Sequence, residues 1–298
     1  MVRSTHEFSR WKAQTPNSWP YAVLRKYNYE LFRLRASHYT ATKYVYRSLG
    51  KSGATLSDQP EQQFGFVEEE CKRYANVSEW SGLYNQFDNF TNLNALLTSA
   101  SNFETYLASV IELSLMSNPG QLLGYSQKID GAHSIKYPDH YRANHEEAVT
   151  ACTKGSWSMR IDAFERVFGT LIEFRNCHSD LEMVRKIRNE MGHAFGRDID
   201  EARRIGSIKI LPIRKLSHER LLRLQNVMAV AAGHIDKFLV EKHIGEFEML
   251  QFFGSLRIPT ELNRTERAFR FKKAVGQHGA EPRGKVFCAG LVEYWDAL

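Results

Sequence analysis

The stretch Leu83-Tyr84-Asn85-Gln86-Phe87-Asp88-Asn89-Phe90-Thr91-Asn92-Leu93-Asn94-Ala95-Leu96-Leu97-Thr98-Ser99-Ala100-Ser101-Asn102-Phe103-Glu104-Thr105-Tyr106-Leu107 decides the fold. Its apolar positions Leu83, Phe87, Phe90, Leu93, Leu97, Ala100, Phe103 and Leu107 step by three or four and continue at Val110 and Leu113. That rhythm matches the turn of an α-helix and not the two-residue alternation of a strand. One long helix, or two nearly collinear ones, is expected. It should end before Asn118-Pro119-Gly120, because proline has no amide hydrogen and clashes with the preceding turn.

Outward from it, the same period predicts a helix from Pro20 to Leu49, with Leu24, Tyr27, Leu31 and Leu34 inward and Gly50 as its stop. Residues 1–19 read as a polar, poorly ordered arm, and 51–63 as a loop or linker. Beyond Gly120 the period weakens through Gly124, Gly131 and Pro138, which suits short surface helices. Met159 to Phe168 resumes a helical pattern running to about Arg175. Ser179-Asp180 then caps a helix whose Leu181, Val184, Ile187 and Met191 form a buried stripe, weakened at its end by Gly192 and Gly196. Ile208–Ile213 alternates briefly but contains Pro212, so it is at most a short edge strand. A strong helix follows from Ser217 to about Ile244, with Leu221, Leu224, Val227 or Met228, Ala231, Ile235, Phe238 and Leu239 inward. Residues 246–298 are mixed, with one helix around Glu261–Ala274 and a break at Gly279–Gly284. The reading is all-α: a helical bundle over 81–245, an N-terminal arm and helical extension over 1–80, and a mixed C-terminal extension over 246–298.

At 298 residues, with 43% hydrophobic and 25% charged side chains, the composition is that of an ordinary globular chain with a sizeable core. Nothing approaches the roughly 20 apolar residues that cross a bilayer, so no membrane partner is expected. Met1–Phe8 has no apolar run, so no secretory signal is expected and the cytoplasm is the expected location. Cys71, Cys152, Cys177 and Cys288 form no C-x-x-C pair. They read as reduced apolar fillers, and neither a metal nor another cofactor is expected, Cys177-His178 notwithstanding.

The net charge of +6 becomes informative once located. Between Arg185 and Arg223 eleven Lys and Arg stand against five Asp and Glu, a surplus equal to that of the whole chain. In a second basic stretch Arg25, Lys26, Arg33, Arg35, Lys43 and Arg47 outnumber Glu30. Six of the 13 tyrosines (Tyr21, Tyr27, Tyr29, Tyr39, Tyr44, Tyr46) fall in or beside it. Clustered cations suit a polyanion, most commonly nucleic acid, and interleaved tyrosines can stack bases. The preferred reading of these tyrosines is the plainer one, that they rest on the remainder of the protein.

Within the first basic segment lies Arg188-Asn189-Glu190-Met191-Gly192-His193. An imidazole with a pKa near about 6.5 can take the proton of a ribose 2′-OH at neutral pH. A guanidinium can grip the scissile phosphate and stabilise the charge that builds on it. Together they supply what RNA cleavage without a metal needs, whereas a two-metal hydrolase wants clustered carboxylates, which the sequence does not offer. Spacing alone decides little, because Arg33-Leu34-Arg35-Ala36-Ser37-His38 repeats it. The 188–193 copy is favoured by its capped amphipathic helix, the polar Asn189 after the arginine, and the surrounding charge. Five residues at about 100° each put Arg188 and His193 some 140° apart on an ideal helix. Either the helix loosens near Gly192 or a second copy completes the site across a two-fold axis.

Arg188–His193 resembles the R-x4-6-H signature of the HEPN superfamily, in which a polar residue commonly follows the arginine. The order of elements is similar as well: Phe103-Glu104-Thr105-Tyr106-Leu107 on a long helix, Phe164-Glu165-Arg166-Val167-Phe168-Gly169 opening a second, then the motif helix, the extended 208–213 stretch and a helix opening at Leu216-Ser217-His218-Glu219. The arrangement is closest to the RiboL-PSP type and covers roughly residues 82–245. The resemblance implies a dimeric, metal-independent endoribonuclease leaving 2′,3′-cyclic phosphate ends, used as a toxin or abortive-infection effector in bacterial defence. It implies RNA as substrate, an antitoxin or defence protein as partner, and a homodimer with the active site at its interface. Arg188 and His193 would be catalytic, Asn189 would orient the phosphate, and Arg185 and Lys186 would hold RNA. Glu104 matches a glutamate often seen in the first HEPN helix, although a satisfied acid is the plainer reading. Phe195 stands where nucleotidyltransferase-paired HEPN toxins carry a modifiable tyrosine, so silencing by adenylylation is not expected. The alternative is a catalytically silent HEPN-like RNA-binding or scaffold subunit of a defence complex. A DNA-binding regulator ranks below both, since no compact helix-turn-helix stands out. His178, His218, His234 and His243 read as caps, core or surface, and Trp80 and Trp157 as packing anchors.

Overall fold

The computed structural model describes residues 7–65, 74–138, 145–204, 208 and 210–298, and these are helical with no strand among them. In chain order the helices are α1 (Trp19–Lys51), α2 (Pro60–Phe64), α3 (Val77–Ser117), α4 (Ala132–Lys136), α5 (Glu146–Thr153), α6 (Trp157–Phe168) and α7 (Ile172–Asn176). They continue with α8 (His178–Ala194), α9 (Ile199–Ala202), α10 (His218–Leu239), α11 (Phe247–Ser255), α12 (Arg264–His278) and α13 (Lys285–Ala297). A 3-10 turn at Pro119–Leu123 follows α3, and a π turn at Val240–Ile244 extends α10. Among the described residues no helix is long and apolar enough to cross a membrane.

The 41-residue α3 is one unbroken helix, stopped at Asn118-Pro119 as its sequence requires. The run expected from Met159 to Arg175 is instead split. α6 ends at Phe168 because Gly169, at φ 96°, turns its backbone out of the helical region, and α7 restarts at Ile172. α8 begins at His178, so Asp180 lies in its first turn and the Ser179 cap does not form. The short strand allowed at 208–213 does not form either. Ile208 and Ile210 are almost fully exposed, and Lys209 lies outside the described residues, as does Cys71. The C-terminal segment is helical, not mixed, and α11, α12 and α13 share a core of Phe253, Phe271, Val275, Phe287 and Leu291.

The chain forms two compact units whose borders cut across the three consecutive segments expected from the sequence. Unit 1 takes the residues up to Leu24, Glu104–His178 and Val230–Leu298, and unit 2 takes Arg25–Phe103 and Ser179–Ala229. The reason is that the long helices α1, α3 and α10 are each shared out between two cores.

In unit 1 the N-terminal segment is no loose arm. Arg10, 5% exposed, sends Nε to both Asp130 carboxylate oxygens at 2.9 Å, Nη1 to the Ile244 carbonyl at 2.8 Å, and Nη2 to the Ser117 hydroxyl at 2.8 Å. Its guanidinium also lies 4.0 Å from the Trp11 ring centroid. Gly245 (φ 55°) makes room for this segment, since a Cβ there would stand 2.3 Å from the Arg10 carbonyl oxygen. The start of α1 is held by two acids: Asp236 accepts from the Ser18 amide at 3.0 Å, and Glu248 from the Trp19 amide at 2.9 Å. Such acceptors satisfy the orphan amides of a helix N-terminus. Residues 1–6 lie outside the described residues; in 7–19 the polar Arg10, Gln14 and Ser18 are bonded to distant groups of the same unit.

In unit 2, Leu93, Leu96, Ala100 and Phe103 of α3, the α8 stripe Leu181, Val184, Ile187 and Met191, and Leu221 and Leu224 of α10 are buried. α1 joins this unit by a polar seam. Arg35 donates Nε to Asn92 Oδ1 at 2.9 Å and Nη2 to Asp88 at 3.2 Å, and Thr42 bonds the Tyr84 hydroxyl at 3.1 Å. The expected inward stripe is thus only half right. Leu31 is half-buried, but Tyr27 and Leu34 are exposed.

Candidate functional site

α8 carries five of the six residues singled out in the sequence. Its apolar stripe fixes the rotation of the helix, so Lys186 and His193 are exposed while Arg185, Arg188 and Asn189 are half-buried. Arg188 donates Nη1 to the Asn189 side-chain oxygen at 3.1 Å. An amide oxygen beside the guanidinium limits its swing and directs the planar fork of donors. Arg185 is engaged differently: its Nε lies 3.1 and 3.0 Å from the two Glu182 oxygens, and its Nη2 2.5 Å from one of them. Much of its charge is therefore answered within α8, and Lys186 is the more accessible cation.

The helix does not loosen at Gly192. It stays regular through Ala194, and only then do Phe195 (φ 53°) and Gly196 (φ 74°) turn left-handed, with the Gly196 amide donating to the Glu190 carbonyl at 3.0 Å. Arg188 and His193 therefore keep the ~140° offset and a rise of roughly 7.5 Å of a regular helix. Of the two geometries the sequence left open, the one within a single chain loses its basis.

The ground around this helix end is firmly built. Glu190 is ion-paired with Arg214, whose Nη2 lies 2.6 Å from Oε1, and this carboxylate raises the guanidinium pKa further. The Arg214 amide donates to the Gly196 carbonyl at 2.7 Å, and Asn89 of α3 donates to the Arg214 carbonyl at 2.9 Å. A Cβ at Gly196 would meet Ile213 at 3.0 Å and Leu93 at 3.2 Å, so this left-handed turn suits glycine on both counts. The loop after α8 is thereby tied to α3 without any strand.

Phe195, two residues beyond His193, was not read as part of the site. Its half-exposed ring lies 5.2 Å from Phe90 and takes the Arg197 guanidinium at 5.1 Å. Phe90 continues to Phe87 and Tyr84 at 6.5 Å each, and Tyr84 stacks on Trp80 at 5.0 Å. An aromatic path thus runs along α3 to the end of α8. The only hint in the sequence was the rhythm Trp80, Tyr84, Phe87, Phe90, which reads equally well as core.

The duplicate pattern at Arg33–His38 is drawn apart. Arg33 is exposed over the Tyr29 ring, while His38 is half-buried with its Nε2 3.2 Å from Asp88. Glu104 belongs to unit 1, where Arg160 donates to its Oε1 at 3.0 Å and lies 4.5 Å over Trp157. Among the described residues no three His, Cys, Asp or Glu gather in a way that suits a metal ion. A cavity of about 1320 Å³ lies in unit 1, lined by Glu112, Lys136, His145, Glu146 and Arg257 among others, and it includes none of the residues singled out in the sequence. On α8, Lys186 and His193 stand exposed beside the half-buried Arg185, Arg188 and Asn189, within reach of an extended polyanion or a second protein surface. Compared with protein-family models, curated proteins and solved structures, the chain matches none of them.

Proposed function

We propose that this chain is a metal-independent endoribonuclease of the HEPN type, cutting RNA in the cytoplasm as a toxin or abortive-infection effector in bacterial defence. One observation carries the reading. Arg188, half-buried beside the apolar stripe of α8, donates to Asn189, and His193 stands exposed five residues further on, in a helix regular to Ala194. The chemistry follows from those groups. His193 takes the proton of a ribose 2′-OH, the 2′-oxygen attacks the adjacent phosphorus, and the bond to the 5′-oxygen breaks. The products are a 2′,3′-cyclic phosphate and a 5′-hydroxyl, the latter needing a proton from a second, protonated imidazole. Arg188 stabilises the charge on the non-bridging oxygens. Since the two side chains diverge along one helix, a homodimer that brings in a second α8 supplies both the facing arginine and the second imidazole.

The test is incubation of wild type and His193→Ala with total RNA in EDTA, followed by mapping of the ends. Wild type is expected to leave 2′,3′-cyclic phosphates, and the variant to be slower by about 10²–10⁴. Equal cutting by the variant, or loss of wild-type cutting in EDTA, overturns the reading. Mixing wild type with an excess of His193→Ala tests the dimer, because a site that needs an imidazole from each copy loses activity when one partner lacks its own.

A further inference from the structure

The preferred reading of the α1 tyrosines placed them against the rest of the protein, and the structure places most of them outside. Tyr29 and Tyr44 are 64% and 73% exposed, and Tyr27 and Tyr39 are exposed as well. The buried side of α1 is narrow: Leu24 and Arg35 are buried, and Asn28, Leu31, His38 and Thr42 half-buried. Away from that seam stand Arg25, Tyr29 and Arg33 on successive turns and, ten residues beyond Arg33, a second group of Lys43 with Tyr44, Arg47 and Lys51, all exposed. These positions span roughly 39 Å of helix at 1.5 Å per residue. Arg33 lies 5.9 Å over Tyr29, and Lys43 5.3 Å from the Tyr39 ring, which itself stacks on His218 at 5.7 Å. Among the described residues no acid pairs with any of these cations, and Glu30 is the single acid in α1.

We propose that this outward face of α1 binds single-stranded RNA, its tyrosines stacking on bases and its cations holding the backbone. That the bound strand is also the strand cut rests on the ribonuclease reading; the binding itself does not. Three features favour this occupant. Rings and cations alternate at a helical spacing, the combination that holds single strands without reading their sequence. A second copy docking through the same face in a two-fold pair would set one row of cations against another, which repels. A membrane-bound helix keeps its apolar residues on one side and its cations on the other, whereas here they share a face. Duplex RNA offers its bases no exposed faces to stack on, so the face discriminates by strandedness.

The experiment uses the full chain and a labelled 12-nucleotide RNA carrying 2′-O-methyl groups throughout. Such RNA has no nucleophile and cannot be cut, so binding is measured whether or not His193 is catalytic. Fluorescence anisotropy is followed across a salt series for this strand and for its duplex. The single strand should bind at least about 10-fold more tightly. Tyr29→Ala with Tyr44→Ala should weaken it by about 10–100-fold at unchanged salt slope, while the Phe pair at the same positions retains binding and shows that the ring is what matters. Arg33→Ala with Lys43→Ala and Arg47→Ala should flatten the slope of log affinity against log salt by about 2. Parental binding by both alanine variants overturns the proposal, as does equal affinity for the duplex. So does a Tyr pair variant that loses self-association or vesicle binding while RNA binding stays intact.

Discussion

Unit 1 and unit 2 are built from the same kind of helix and dispose of their charge in opposite ways. In unit 1, Arg10, Asp236, Glu246 and Arg283 are each 5% exposed or less and bond to one another's surroundings. In unit 2 the exposed cations of α1 and α8 share the surface with half-exposed rings such as Phe87 and Phe195. Burying charge costs several kcal/mol per ion and is tolerated only where every donor and acceptor is met. In unit 1 Arg10 is met by Asp130 and backbone carbonyls, and Asp236 and Glu248 by helix-end amides, so these charges fix where segments end and turn. Unit 2 keeps Arg25, Arg33, Lys43, Arg47 and Lys51 of α1 exposed with no acidic partner among the described residues. The lesson is that charge count says little until burial assigns each charge a task.

The largest effect expected from that contrast belongs to Arg10. Replacement by Ala takes from Asp130 its guanidinium partner and from the carbonyls of Ser117 and Ile244 one of their donors, at a cost of about 3–5 kcal/mol in chemical denaturation. Arg10→Lys should rescue little, because an ammonium cannot reach three partners along a planar fork. A loss under about 1 kcal/mol would mean the buried charge is not what orders the N-terminal segment, and the contrast would break.

A smaller effect is the pH dependence of stability, which belongs to unit 1. Burial raises Asp236 to about 6 and Glu248 to about 8, Glu248 also feeling the neighbouring charges of Asp236 and Glu246 against that of Arg283. A raised acid holds a proton when folded that the unfolded chain has released, so its contribution falls as pH rises from the unfolded value through the folded one. Burial lowers His243 to about 4, and a depressed base acts the other way, its contribution rising with pH between about 4 and 6.5. Asp236 and His243 therefore oppose each other below about 6.5, and Glu248 continues to act above it, up to about 8. Thermal melts should show stability declining from about pH 6.5 to 8, and Glu248→Gln should flatten that decline. A decline that persists in the variant places its origin elsewhere.

How much of this was legible in the sequence depends on which residues carried the signal. α3 was readable end to end because its apolar period never lapses and Pro119 stops it. The inward faces of α8 and α10 were equally readable, since their buried positions are apolar and recur every three or four residues. α1 was not, because its seam includes Arg35, His38 and Thr42, which pair with side chains of α3, while most of its tyrosines point outward. An apolar-period rule turns such a helix to the wrong face. The N-terminal segment failed for a related reason, its polar residues being partnered by groups more than 100 positions away. At the candidate site the residues Arg188, Asn189 and His193 were legible as chemistry. What needed coordinates was the regularity of the helix through Gly192 and the presence of Phe195 and Arg197 beside it.

The smallest effect separates the two sides of the aromatic surface in unit 2. Phe87 is half-exposed, yet its ring lies 5.6 Å from His38 and 6.5 Å from both Tyr84 and Phe90, so it bridges α1 and α3. An aromatic pair is worth about 0.5–1.5 kcal/mol beyond its buried area, and Phe87→Ala should cost about that much in denaturant midpoint. Tyr44 shows no ring contact with another aromatic side chain among the described residues and is 73% exposed, so Tyr44→Ala should leave stability within about 0.5 kcal/mol of the parent. The two residues carry rings of nearly the same size, so size gives no reason for different costs. If Tyr44→Ala proves the more destabilising, the ring packs on protein, and the outward face of α1 is no longer free for a strand. If Phe87 alone matters to the fold, the seam holds the hairpin together and the outer rings are left available for binding.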